Sequence, residues 1–170
     1  MKGRLLTAGV AGYFLFFAGL ILLLAHFRGA RAGAPEQPIA FSHPLHTVKI
    51  GLDCRHCHTT VEQSSFPGMP AVQVCMDCHR EAVRDRPEIR KLAGYWDRQE
   101  PIAWTQVNRL PTHVHFTHKR HVRAGVACAS CHGDVGYEPR IRQARSLKMG
   151  WCIDCHRARG ASTDCWTCHR

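Results

Sequence analysis

Five times the chain repeats Cys-x-x-Cys-His: at Cys54, Cys57 and His58; Cys75, Cys78 and His79; Cys128, Cys131 and His132; Cys152, Cys155 and His156; and Cys165, Cys168 and His169. The pattern consumes all 10 cysteines of the 170-residue sequence. Two thiols three positions apart reach the two vinyl groups of one porphyrin, and the imidazole next in sequence then lies under the iron as proximal ligand. Zinc ribbons share the Cys-x-x-Cys element, but a zinc site needs four ligands, and five pairs leave one over. Zinc also gives no reason for a His after every second Cys, and a disulfide framework predicts none. The motifs therefore specify five covalently bound haems c.

The motifs sit in a longer repeat. Phe41, Ser42, His43 and His46 precede the first, and Phe116, Thr117, His118 and His121 precede the third. The second and fourth motifs end alike, as Cys-Met-Asp-Cys-His-Arg and Cys-Ile-Asp-Cys-His-Arg. Residues 41–80 and 116–157 thus read as two dihaem units, each offering two further histidines for two irons. Histidines at i and i+3 share a face of one helical turn, with directions divergent enough to serve different haems. His43, His46, His118 and His121 are the expected distal ligands, although which serves which iron is not legible. The fifth haem, on residues 158–170, has no repeat of its own. Met149 would give a His/Met haem of higher potential, and His115 or His113 would give a second imidazole. His56 is constrained within its motif, and His26 belongs to the N-terminal segment.

These residues must be positioned by little else. The chain beyond residue 33 is polar and basic, with few long apolar runs, so its own side chains supply only a small core. Short helices bearing the motifs, mostly irregular connections and a stack of five haems as the true core are expected. Between the units, residues 81–115 form a connecting segment. Its residues 85–98 predict a helix, with Pro87 in the first turn and Ile89, Leu92 and Trp96 on one face. At the N-terminus, 21 uncharged residues from Leu5 to Ala25 follow a basic lead. That length predicts an uncleaved transmembrane helix over residues 1–28, with a cleavable signal as the rival. A Gly/Ala/Pro-rich linker spans residues 29–40. Haem c attachment outside the cytoplasm would make the protein single-pass in a bacterial inner (plasma) membrane, in contact with lipid, with the haem domain periplasmic. The formal charge of +10 suits propionate partners; no nucleic-acid motif accompanies it.

The dihaem units resemble the class III multihaem cytochromes of the c3 and c7 type, through Phe-x-His-x-x-His followed by Cys-x-x-Cys-His. Residues 66–79, 104–111 and 147–156, together with the five motifs and the N-terminal apolar segment, are similar to the pentahaem subunit (ActA) of alternative complex III. That resemblance implies an electron-relay subunit of a quinol:electron-acceptor oxidoreductase, not an enzyme on its own. Its implied partners are an iron–sulfur subunit resembling molybdopterin oxidoreductases, polytopic quinol-binding subunits and a monohaem cytochrome c. The family pattern places a His near Asn108, and an amide does not ligate haem iron in the usual way. Competing expectations are a stand-alone membrane quinol dehydrogenase of the NapC/NrfH type, a diffusing carrier and a multihaem reductase. No acidic residue at the helix end suggests a quinol site, and no Cys-x-x-Cys-Lys motif suggests a reductase.

Overall fold

The structure, a computed structural model, describes the backbone of residues 2–31 and 33–169 and the side chains of residues 9–25 and 33–169. It divides into two units, residues 1–33 and residues 34–170. The first is one helix, α1 (Lys2–Arg31), on which apolar side chains such as Phe14, Leu15 and Leu22 are exposed.

This helix corrects the expected anchor. Among the described residues, no helix is long and apolar enough to cross a membrane. The transmembrane helix in the expected fold class and the single-pass inner-membrane location do not stand, and the lipid partner inferred from them goes with them.

The second unit is helical and largely irregular, as expected, with no strand among the described residues. Its helices are α2 (Cys54–Cys57), α3 (Val72–His79), α4 (Pro87–Asp97), α5 (His118–Arg123), α6 (Cys128–His132), α7 (Met149–Ala158) and α8 (Cys165–Cys168). Three of them, α2, α6 and α8, are little more than the single turn that a Cys-x-x-Cys pair occupies. α4 begins at Pro87, where the missing N–H costs no hydrogen bond.

The apolar core is small. Ile39, Met76 of α3, Leu92 of α4 and Ile102 are buried, with Val72, Tyr95, Trp96 and Trp104 packed around them. Leu92 and Trp96 use the predicted face of α4. Arg80 caps this cluster from outside, its guanidinium 4.8 Å from the Trp96 ring centre. Two tethers close the segment around it. Gln37 donates to the Thr105 carbonyl at 2.9 Å and accepts from the Thr105 amide at 2.8 Å. The Ala40 amide donates to Glu88 at 2.7 Å. The accessible surface is 13240 Å², against about 8,400 Å² for a compact monomer of this mass. The exposed α1 accounts for part of the excess.

Candidate haem-binding site

The repeated histidine segments fold alike for a visible reason. Phe41 stacks on His46 with ring centres 4.4 Å apart and meets His43 edge-on at 4.8 Å. Phe116 repeats this with His121 at 4.5 Å and His118 at 4.8 Å. The Nδ1–H of His46 donates to the Ser42 carbonyl and that of His121 to the Thr117 carbonyl, both at 2.9 Å. The repeats differ in length by one residue between this pair and the following motif, and the backbone absorbs it. Leu45–Lys49 forms a π-helical turn, whereas the second repeat uses the ordinary turns of α5. A single π turn is the usual home of such an insertion. Both segments then end at a glycine of positive φ, Gly51 at 83° and Gly125 at 71°, so the motif helices start from matching geometry.

The structure brings predicted distal and proximal histidines side by side, near parallel for His118 and His132 and at 69° and 47° for the other two pairs. Ring centres of His46 and His79 are 6.1 Å apart, those of His118 and His132 are 6.3 Å apart, and those of His121 and His156 are 6.1 Å apart. A metal held about 2 Å from one nitrogen of each ring, on opposite sides, separates the ring centres by roughly 6.3 Å. His43 neighbours His58: burial first, then the His58 and His46 rings, push its pKa down. The first histidine of each pair therefore meets the first motif of its unit, and the second histidine meets the second motif.

Of the three candidates for the remaining motif, His113 lies beside His169, with ring centres 5.5 Å apart and planes at 28°. The Met149 side chain is 68% exposed, and His115 is tied through its backbone amide to the Cys168 carbonyl at 2.8 Å. The His26 side chain lies outside the described residues.

Most of these rings share a tautomer. Nδ1 of His58 faces the Gly68 carbonyl at 2.8 Å, and Nδ1 of His79 faces that of Ala82 at 3.2 Å. Nδ1 of His156 faces Ser162 at 2.6 Å, that of His169 faces His113 at 3.1 Å, and that of His118 faces Ser65 at 2.9 Å. A carbonyl only accepts, so each Nδ1 carries the proton and Nε2 keeps its lone pair for a metal. This second layer was not legible in the sequence, because most of its acceptors are backbone atoms of loops.

The motifs also adjoin one another. Burial and then the Cys57 thiol raise the Cys75 pKa, joining the second motif to the first. Cys54 is raised by burial and by Cys128, with which it hydrogen-bonds, joining the first to the third. Burial, Cys155 and Cys152 raise Cys131, and burial and Cys168 raise Cys152. These thiol contacts link the second motif to the first, the first to the third, the third to the fourth and the fourth to the fifth. Paired thiols beside a histidine pair with inward lone pairs fit haem c in donor type, spacing and tautomer.

A fold of short helices hung on repeated Cys-x-x-Cys-His turns defines a multihaem c-type cytochrome. The chain belongs to the family of cytochrome c7 and related cytochrome c, which it matches over residues 39–93 and 114–170. It is similar to the multiheme cytochrome c subunit of a menaquinone reductase from Nitratidesulfovibrio vulgaris (strain Hildenborough). The two are 29% identical over 186 residues, covering 91% of this chain and 89% of the relative.

Proposed function

We propose that this protein is a pentahaem cytochrome c that relays electrons within a quinone-linked oxidoreductase and does not catalyse on its own. The observation that carries the reading is the set of facing imidazoles. His43 and His58, His46 and His79, His118 and His132, His121 and His156, and His113 and His169 would each hold one iron from both sides. The ten motif cysteines would attach the five porphyrins. Haem c supplies a one-electron Fe(III)/Fe(II) couple. With a histidine of the chain on each side, no iron would be left open to a substrate, which favours electron transfer over chemistry on a small molecule.

The assembly in view is the alternative complex III kind, or the menaquinone reductase kind to which the relative belongs. Its other members would be an iron–sulfur subunit of molybdopterin-oxidoreductase type, polytopic quinone-binding subunits and a monohaem cytochrome c. The two kinds run electrons in opposite directions, and a row of six-coordinate sites serves either. If electrons follow the thiol contacts described above, the second and fifth motifs would stand at the two ends of the relay.

A pyridine haemochrome assay of the purified protein should return five haems c per chain; two or three would overturn the reading. Gentle purification should bring an iron–sulfur protein and polytopic subunits with it. An isolated chain that oxidises or reduces a menaquinone analogue alone would refute the relay assignment.

A further inference from the structure

His132 is the exception among the rings described above. Its Nδ1 faces a side chain, the Asn108 amide, with Nδ2 of Asn108 at 3.2 Å. The Asn108 Oδ1 is buried and has no hydrogen-bond partner. The oxygen and nitrogen of an amide are assigned from their hydrogen-bond network. As drawn, Nδ2 would donate to Nδ1 and force the ring proton onto Nε2, the nitrogen whose lone pair a metal would need. Seven other rings, of His46, His58, His79, His118, His121, His156 and His169, meet carbonyl acceptors and carry the proton on Nδ1. Turning the amide end for end gives His132 the same tautomer and gives Oδ1 its missing donor. The exchange leaves Nδ2 as the buried group, and a donor there suits a site for a porphyrin with two carboxylates.

We infer that Asn108 is a positioning residue for the third haem: its Oδ1 accepts the Nδ1–H of His132, fixes the tautomer and tunes that haem's reduction potential. The inference rests on the five-haem reading above. A stronger acceptor at Nδ1 makes the imidazole a better donor to iron and favours Fe(III). Asn108 lies 24 residues from His132 in sequence, on an extended segment whose only regular feature is the Gln106 side chain donating to the Asn108 carbonyl at 3.0 Å. It is the one acceptor described here for a proximal ring that a point substitution can remove without touching the backbone.

The test is a spectropotentiometric titration of the full-length, haem-loaded protein, beside Asn108→Leu and Asn108→Asp. Asn108→Leu, of similar volume, should raise one of five one-electron waves, and Asn108→Asp should lower that same wave. The other four should hold their positions in the Leu variant, and the haemochrome count should stay at five. Unmoved waves in both variants would overturn the inference while leaving the pentahaem reading intact. So would shifts of equal sign, because lost packing does not reverse with the acceptor. A wild-type protein with fewer than five haems would instead sink the pentahaem reading and this inference with it.

Discussion

Replacing His113 by Ala isolates the least repetitive of the five sites. His113 sits 5.5 Å from His169, centre to centre, less than 1 Å inside the roughly 6.3 Å expected across an iron; a small rotation of an exposed side chain closes that gap. Met149 starts α7 with its thioether turned to solvent. The variant should lose one axial ligand and no others, because the remaining pairs lie on α5, on the first-repeat turn and on their motif helices. About one haem in five should then pass from six- to five-coordinate. Reduced protein should bind about one carbon monoxide per chain, against none for the parent, and the low-spin α-band should fall by roughly a fifth. Met149→Leu and His115→Ala should bind none. A carbon monoxide-binding haem in Met149→Leu, or its absence in His113→Ala, would refute the assignment.

Three further outcomes follow from the same geometry. Leu92→Ala empties the centre of the small core and should cost about 2–5 kcal/mol in denaturant unfolding, with no change in the visible spectrum at low denaturant. Gly68→Ala places a Cβ 2.6 Å from Thr60 Oγ1 at a φ of +74°. It should lower the melting temperature and disturb the haem of His58, which uses the Gly68 carbonyl. The Glu88 carboxyl is held below its ordinary value by the Lys91 ammonium and then the Ala40 amide. A depressed folded value means stability present above the unfolded value near 4.5 and lost as pH falls through the folded one. The loss should stay under about 1 kcal/mol for so exposed a group, and Glu88→Gln should abolish it in unfolding measured across that range.

Much of this site can be read from the chain because its chemistry is local. A Cys pair and the following His lie on one turn, and the paired histidines share another, so spacing alone names them. The helix at Pro87 follows from an N1 proline and an apolar face. Pairing is a different matter. That His46 meets His79 and not His58 depends on how the connecting loops bring α3 to the first-repeat turn, which motif spacing does not encode. That His113 meets His169 depends on an aperiodic stretch from Leu110 to Phe116. Asn108 gave no signal as a ring partner, since nothing in its neighbourhood marks an acceptor for a histidine 24 positions away. The N-terminal segment misled for the opposite reason: hydropathy along residues 5–25 counts a run of apolar residues, whereas among the described residues no helix is long and apolar enough to cross a membrane.

The four-residue core bears on how the protein comes into being. Ile39, Met76, Leu92 and Ile102 organise the first dihaem unit and its connecting helix, but among the described residues no buried apolar cluster of this kind lies within residues 116–169. Before its cofactors are attached, that half of the chain has too little apolar surface to offset the entropy of ordering it. Each thioether bond then contributes both a cofactor and a piece of the interior. On the pentahaem reading, maturation and folding of that half would be one process, with the later motifs receiving their haems on a chain not yet folded.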